Sequence, residues 1–265
     1  MKAIASRENP AFKAMARLVS SATERRRRGA SVLDGAHLLA AFLDSGRTPD
    51  EVMVNRAGLE DPEIAGLVER SRPARVTLLA DSLFASLSTV ESPTGILAAV
   101  PTPAPRAIPD DASLVLALED IQDPGNVGTL LRSAAAAGAA HVLLSPRCAF
   151  AWSPKVLRAG MGAHFALNLV EGADLAAFLG RFRGTSVALA GKGERSLYEL
   201  DLRGPLALVV GNEGAGLTDA LLAAVSVRAR IPLGGPVESL NAAIAGSIAL
   251  FETVRQRAAN TGNHR

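Results

Sequence analysis

Short β-type runs alternate with helical patterns from about residue 31 onward, and this alternation constrains the fold more than any other feature of the sequence. Such an order is typical of parallel sheets covered by helices. We therefore predict an α/β fold, with first-half strands at 31–35, 51–55, 76–80 and 95–100. The second half predicts about six strands in a doubly wound sheet, whose ligands lie beyond the carboxyl ends of the strands.

The proline-rich segment VPTPAPRAIPDDAS interrupts the alternation. It contains four prolines and has no periodicity, which is typical of a stiff, extended linker. A chain of 265 residues is long enough for two domains, each with its own core. We predict a first domain over 1–102, a linker over 103–111 and a second domain over 112–265.

Composition excludes several classes of protein. Hydrophobic residues make up 48% of the chain and charged residues 20%, a balance that excludes general disorder. The single cysteine, Cys148, excludes an internal disulfide and any multi-cysteine metal site. No apolar run reaches the ~18 residues that a membrane span requires, and the start of the chain is too polar for a signal peptide. We expect a cytoplasmic protein with no metal and no membrane contact.

Basic residues are concentrated near the N-terminus. Residues 1–30 contain eight Lys or Arg against two Glu, a local charge of +6 in a chain whose net charge is +2. This concentration is a candidate footprint for a polyanion, although a solvated or flexible arm has the same composition. The candidate contact residues are Lys13, Arg17, Arg25, Arg26, Arg27 and Arg28.

Three loops at predicted carboxyl ends of strands carry polar side chains. The first, EDIQDPGNVG at 119–128, leads into an alanine-rich helix that contains Arg132. Asn126 stands where a helix N-cap is expected, and Arg132 is placed to bind a phosphate or a ribose hydroxyl. Taken alone, the two residues also fit ordinary roles, as a cap and as a solvated helix side chain.

The other two loops follow apolar strands later in the chain. GNEGAGL at 211–217 is rich in glycine, which permits close approach of a ligand, but it has neither the dinucleotide-binding nor the P-loop spacing. Its Glu213 alone would fit a simple turn residue. In the loop 231–241, Ser239 is a candidate cap of the final helix and Asn241 lies in the first turn.

Taken together and in this order, the three loops resemble a known family. EDIQDPGNVGTLLRSA, VVGNEGAGL and IPLGGPVESLNAAIA are similar to the three motifs of the SpoU (TrmH) family of RNA ribose 2′-O-methyltransferases. The N-terminal segments SRENPAFK, VLDGAHLL and ESPTGILA resemble a small RNA-binding domain similar to ribosomal protein L30e. Asp34 departs from that pattern, because the family usually has glutamate there.

The resemblance implies an S-adenosyl-L-methionine-dependent enzyme with a deep trefoil knot in its C-terminal domain. It implies cofactor contacts, largely through the backbone, at Gly211, Ile231 and Leu240. It also implies a homodimer formed through the knotted domain, consistent with the apolar final helix at 242–254. The polar site residues that it implies are Asn126, Arg132, Glu213, Ser239 and Asn241.

The implied chemistry is methyl transfer to a ribose 2′-oxygen of RNA, with ribosomal RNA favoured over transfer RNA. Arg132 would activate the hydroxyl and hold the adjacent phosphate. Because a guanidinium with a pKa above ~12 is a poor base, Arg132 could instead stabilise the developing alkoxide while another group accepts the proton.

Two other functions remain open from the sequence. One is a non-catalytic RNA-binding or ribosome-assembly protein that has kept the fold, and the other is a nucleotide-dependent α/β enzyme for small molecules. The remaining chemistry-bearing side chains fit structural roles, because the histidines lack metal-ligand spacing and the cysteine has no nearby base. These residues are His37, His141, His164, Cys148 and Trp152.

Overall fold

The structure, a computed structural model, describes residues 1–90 and 92–261 and divides into two compact units. The first unit comprises Met1–Ala104 together with Trp152–Phe165, and the second comprises Pro105–Ala151 and Ala166–Arg265. Each unit contains its own sheet flanked by helices, so the predicted α/β class is confirmed. Trp152–Phe165, which the predicted domains assign to the second half, groups with the first unit.

The sheet of the first unit is mixed rather than parallel. Its order is β1-β4-β3-β5-β2, and β5 runs antiparallel to both β2 and β3. The prediction of a parallel sheet is wrong here, because a strand buried on both faces has the same continuous apolar sequence in either direction. The strands are β1 (Lys2–Ile4), β2 (Ala30–Asp34), β3 (Glu51–Val54), β4 (Arg75–Leu79) and β5 (Ile96–Pro101).

Six helices accompany these strands. Asp61 caps the fifth of them, and Pro62 occupies its first position, where proline is favoured. The helices are α1 (Pro10–Ser20), α2 (Ala22–Arg28), α3 (Ala36–Asp44), α4 (Arg56–Glu60), α5 (Pro62–Arg70) and α6 (Asp81–Leu87).

The basic run is an ordered helix, α2, rather than a flexible arm. It begins after the N-cap Ser21 and is followed by the C-cap Gly29, whose φ of +57° is a left-handed conformation that favours glycine. Arg25 is only 5% exposed, and its Nη1 donates to the carbonyl oxygens of Leu18 and Val19 at 2.5 and 2.9 Å. The prediction that Arg25 contacts RNA is therefore wrong, because its guanidinium is buried against the end of α1.

The sheet of the second unit is parallel throughout, in the order β10-β12-β9-β11-β6-β7-β8. From β6 the chain first adds β7 and β8 on one side and then crosses to add the later strands on the other side, where β11 pairs with β6. The carboxyl ends of β6 and β11 therefore lie side by side. β10 has only two residues, too few to give a sequence pattern. The strands are β6 (Leu114–Leu118), β7 (His141–Leu144), β8 (Asn168–Glu171), β9 (Thr185–Leu189), β10 (Arg195–Ser196), β11 (Leu206–Val210) and β12 (Val227–Arg230).

Five helices follow in the chain, and the last of them packs tightly against the first and also contacts β11. Gly246 of this helix permits the close approach, because a Cβ there would lie 2.4 Å from Cδ2 of Leu130. Ser247 Oγ lies 2.7 Å from Ser133 Oγ across the same contact. The helices are α7 (Pro124–Ala136), α8 (Pro154–Gly160), α9 (Leu175–Arg181), α10 (Asp219–Ala224) and α11 (Ala242–Thr261), of which α8 groups with the first unit.

The segment 103–111 contains no helix or strand, as the prolines predict. Its Ile108 is buried in the core of the second unit. None of the described helices combines the length and hydropathy that spanning a bilayer requires.

Candidate functional site

The three polar loops meet at the carboxyl edge of the second sheet through a chain of side-chain hydrogen bonds. Asn241 Nδ2 donates to Asn126 Oδ1 at 3.0 Å, and Asn126 Nδ2 donates to Glu213 Oε1 at 2.8 Å. These bonds join residues that are 115 and 87 positions apart in the chain. Each amide therefore has one defined orientation, and the second oxygen of Glu213 remains available on an exposed side chain.

Asn126 is free for this contact because it does not cap its own helix. The N-cap of α7 is Asp123, whose Oδ1 accepts from the backbone N–H of Asn126 at 2.7 Å, followed by Pro124 at the first helical position. The prediction of an Asn126 cap is thus wrong by three residues, and the displaced side chain points toward Glu213 instead.

Asn241, rather than Ser239, accepts the first N–H groups of the final helix. Its Oδ1 accepts from the backbone N–H groups of Ala243 and Ile244 at 2.9 and 3.1 Å, and α11 begins at Ala242. The prediction of Ser239 as cap is wrong because the chain stays irregular until Asn241. One amide thus anchors both the final helix and the bond to Asn126.

A cavity of about 690 Å³ lies beside this chain of bonds. It is formed where β9, β11 and β12 end, so that all three cofactor positions implied by the resemblance line one hollow. Glu213 and Ser239 line it as well. The lining residues among the predicted site residues are Gly211, Glu213, Ile231, Ser239 and Leu240.

Gly211 shows why this loop is rich in glycine. A Cβ at Gly211 would lie 2.6 Å from the backbone carbon and oxygen of Gly216, which curls back with φ of +72°. Asn212 and Gly216 form an antiparallel bridge with bonds of 3.0 Å in both directions. The loop is therefore a tight turn whose backbone faces the cavity.

These residues fit S-adenosyl-L-methionine. The cavity volume falls within the ~300–1000 Å³ typical of small-molecule sites. Two carboxylates, Glu213 and Glu238, line it and suit the positive charge of a sulfonium and an ammonium group. Gly191 and Gly214 are exposed and line the cavity, so their backbone groups lie within reach of an adenine or a carboxylate.

Arg132 lies outside the hydrogen-bond chain. It is exposed on α7, six residues beyond Asn126, which places its Cα about 9 Å further along the helix axis. Among the described residues, none forms a hydrogen bond or ion pair with its guanidinium. Helical side chains lean toward the N-terminal end of the helix, so Arg132 has the reach to meet a substrate held near Asn126.

A second set of contacts, absent from the sequence interpretation, braces the site loops. Asn212 Nδ2 donates to the carbonyl oxygen of Asp120 at 2.8 Å, while Asn212 Oδ1 accepts from the N–H groups of Gly214 and Ala215. Thr218 donates its N–H and its hydroxyl to Glu119, both at 2.8 Å. The sequence feature that could have indicated Glu119 and Asp120 is the acidic pair that they form directly after β6.

Cys148 and the histidines that the structure describes show no sign of a further reactive or metal site. Burial raises the pKa of the Cys148 thiol, which suits an inert thiol. Among the described residues, no group of three or more His, Cys, Asp or Glu is placed to hold a metal ion.

The other five candidate RNA-contact residues are exposed: Lys13, Arg17, Arg26, Arg27 and Arg28. Lys13 pairs with Glu8, and Arg27 and Arg28 pair with Glu24.

Comparison with known proteins identifies the family. The SpoU rRNA Methylase family profile matches residues 113–251. An uncharacterized tRNA/rRNA methyltransferase of Synechocystis is 31% identical over 96% of this chain and 94% of its own. The 23S rRNA (guanosine(2553)-2′-O)-methyltransferase RlmP of Bacillus subtilis is 30% identical over 95% of this chain and 98% of its own.

Solved structures agree with these relatives. The SpoU methyltransferase AviRb of Streptomyces viridochromogenes, solved with AdoMet, superposes with a TM-score of 0.85 at 26% identity, covering 95% of this chain and 99% of that one. The resemblance of the three loops to the SpoU family is thereby confirmed. The protein belongs to the SpoU rRNA methylase family.

Proposed function

We propose that this protein transfers the methyl group of S-adenosyl-L-methionine to a ribose 2′-hydroxyl of RNA. The observation that carries the proposal is the hydrogen-bonded chain Asn241–Asn126–Glu213 beside a cavity that fits the cofactor. The cofactor, when bound, supplies an electrophilic methyl group. Relatives across nearly the full length of the chain bear RNA methyltransferase names.

In this mechanism the side chains position the ribose and stabilise the charge that develops on its 2′-oxygen, while the hydroxyl proton leaves to solvent water. Asn126 and Glu213 fix the sugar, Arg132 holds the adjacent phosphate and stabilises the developing charge on the 2′-oxygen, and Asn241 orients Asn126. Ser239 shapes the cavity end nearest the substrate. Fixed near-attack geometry of this kind supplies ~7–11 kcal/mol of a barrier, so few chemical groups are needed.

Ribosomal RNA is the substrate class that the comparisons favour. RlmP of Bacillus subtilis is named a 23S rRNA guanosine methyltransferase, and its length matches this chain almost completely. The Synechocystis relative is named for both tRNA and rRNA, which keeps transfer RNA as the second choice. The cytoplasmic location remains a prediction.

The finer features of the fold belong to the same proposal. We infer a trefoil knot in the second unit, supported by the close passage of the loop 231–241 beside the turn after β9. A Cβ at Gly191 would lie 3.9 Å from the carbonyl oxygen of Glu238 in that loop.

We also infer that the predicted first domain, 1–102, is the L30e-like RNA-binding domain, supported by its mixed sheet and its basic helices α1 and α2.

A homodimer through the second domain is supported by the exposed apolar face of α11. Ile244 and Phe251 are 50% and 48% exposed, and seven residues apart they lie on one face of the helix. Large apolar side chains at this exposure are typical of a covered surface. We place the partner subunit against this face.

The proposal is tested in two steps with the full-length protein. Calorimetric titration with S-adenosyl-L-methionine asks whether the cavity binds the cofactor. Mapping of 2′-O-methyl positions in total RNA, with and without the gene, asks whether a ribose is modified and where. Cofactor binding together with the loss of one modified position supports the proposal. Failure to bind the cofactor would leave the non-catalytic RNA-binding or assembly role as the better function.

A further inference from the structure

A second cavity, of about 500 Å³, opens at the carboxyl ends of β6, β7 and β8. Because all seven strands are parallel, it lies along the same edge of the sheet as the cofactor cavity. The loop 211–217 lines the first cavity, and the next residue, Thr218, lines the second. The principal lining residues of the second cavity are Ser145, Arg147, Leu175, Ala176, Thr218 and Leu221.

Arg147 is held at this cavity by one edge of its guanidinium. Nε donates to Asp120 Oδ2 at 2.9 Å and Nη2 donates to the same oxygen. The Asp120 side chain is 11% exposed and also accepts from the Ser145 hydroxyl at 2.5 Å, whereas the Arg147 side chain is 72% exposed. A guanidinium has five N–H groups, so an oriented set of donors remains directed to solvent.

The backbone of Asp120 indicates that its carboxylate is needed. Its φ of +55° lies in the left-handed region, where glycine would be accommodated at lower cost. A side chain kept at such a position points to a role for that side chain. Here the carboxylate orients Arg147, and the carbonyl oxygen of the same residue accepts the bond from Asn212 that braces the Glu213 loop.

The remaining acidic side chains of the second cavity are already engaged by the protein. Glu119 accepts from the N–H and the hydroxyl of Thr218, and Asp174 accepts from the backbone N–H of Ala177. The exposed cation Arg147 is therefore available at the rim, above apolar walls formed by Leu175 and Leu221. A cation above an apolar hollow matches a nucleotide, which presents a phosphate and a planar base.

We propose that Arg147 and this cavity form a subsite for one nucleotide of the RNA substrate near the methylated one. Arg147 binds the phosphate of that nucleotide, and the cavity receives its nucleoside. The proposal rests on the proposed RNA substrate. The subsite lies two to three strand spacings of ~4.8 Å from the cofactor cavity, so nearby nucleotides of the same strand reach both.

The test is RNA binding measured by fluorescence anisotropy, with a labelled RNA hairpin of mixed sequence as the probe. Arg147→Ala should bind about tenfold more weakly, as expected for one charge-assisted hydrogen bond to phosphate. The slope of log affinity against log salt should fall by about 0.7–0.9, the value for one lost phosphate contact. Arg147→Lys should keep the slope.

The cavity is tested by filling it. Ala176 is exposed and lines the cavity, whereas its neighbour Ala177 is exposed and does not. Ala176→Phe should weaken binding about fivefold or more through lost base packing, and Ala177→Phe should bind like wild type. Arg181→Ala is the matched control for charge, since Arg181 pairs with Asp110 at 3.0 Å, before the amino end of β6.

An unchanged salt slope in Arg147→Ala or wild-type RNA affinity in Ala176→Phe would overturn the subsite. So would a loss of RNA affinity in Ala177→Phe or Arg181→Ala as large as the loss in the variant that it controls for. None of these measurements uses methyl transfer. A wild-type protein that binds RNA in this way but transfers no methyl group would contradict the proposed function and leave the subsite supported.

Discussion

Asn126 Nδ2 donates to Glu213 Oε1 at 2.8 Å, which ties the loop after β6 to the loop after β11. The bond crosses the point where the strand order reverses, the usual ligand position of an open parallel sheet. Since Asn241 donates to the same amide, Asn126 has a donor side and an acceptor side that cannot be exchanged without breaking a bond.

This polarity makes Asn126→Asp a sharp test. The change replaces the donor that faces Glu213 with a second carboxylate, and repulsion should open the contact. We expect methyl transfer to fall about 100-fold, because misplacement of a positioning group by about 1 Å has that effect. Single-turnover assays measure the rate, and calorimetry should show cofactor affinity close to wild type.

Asp123→Asn provides the control for Asn126→Asp, because asparagine caps α7 as well as aspartate does. Its turnover should match wild type. Turnover of Asn126→Asp within threefold of wild type would show that the contact with Glu213 is not used.

Arg132→Ala should abolish methyl transfer and leave cofactor binding intact. The side chain is exposed and lies outside the cofactor cavity, so its loss should neither unfold the protein nor disturb that cavity. Arg132→Lys should recover little activity, since a lysine lacks the planar fork that holds phosphate. Turnover of Arg132→Ala near the wild-type rate would remove Arg132 from the mechanism.

Gly211→Ala should prevent cofactor binding. The added Cβ would meet the Gly216 backbone at 2.6 Å, and backbone cannot yield as a flexible side chain does, so the turn must open. Gly204→Ala, whose Cβ would have no heavy atom within 4 Å, is the control. Calorimetry with S-adenosyl-L-methionine should separate the two, and equal affinities would contradict the tight-turn account.

Arg25→Met should destabilise the first unit. The change leaves the carbonyl oxygens of Leu18 and Val19 without their buried donor, at a cost of about 1–3 kcal/mol. Urea unfolding measures the loss, and Arg17→Met, at an exposed position of α1, should unfold like wild type. If Arg25→Met weakened RNA binding without changing stability, Arg25 would be a contact residue after all.

His141 predicts a pH dependence of stability. Burial, assisted by the nearby Arg106, lowers the pKa of His141 below its ordinary 6.5, and Nδ1 accepts from Asn168 Nδ2 at 3.1 Å, which requires the neutral ring. Below about pH 6.5 the unfolded chain therefore binds a proton that the native state does not, and stability falls as the pH approaches the lowered pKa.

His141→Gln keeps an acceptor for Asn168 and removes the titration. Its free energy of unfolding should decrease less than that of wild type between about pH 7.5 and about pH 5.5. Parallel curves for the two proteins would show that His141 is protonated equally in both states.

The sequence predicts the order of elements well and their tertiary roles less well. Thr218 and Asp61 are N-caps of residue types that favour this position, because capping depends on local residues. Pro124 could have assigned the cap of α7 to Asp123, since proline favours the first helical position. In contrast, four consecutive arginines look alike in sequence, and only packing against α1 makes Arg25 the buried one.

The site was predictable as a set of residues but not as a network. The family motifs contain Asn126, Glu213 and Asn241, yet which amide donates to which group depends on side-chain placement across 87 and 115 positions. The parts played by Asp120 and Asn212 escaped prediction because they lie in a left-handed turn and a backbone contact, which no periodicity encodes.

The length of chain between Asn126 and Asn241 has a consequence during synthesis on the ribosome. A nascent chain that ends before Asn241 can pair most strands of the second sheet, but it has neither the amide that orients Asn126 nor the helix that covers β11. Because Ala242 and Ala245 of the last helix line the cofactor cavity, that cavity is complete only once this helix has emerged, and a truncated translation product lacks part of the site for a methyl donor.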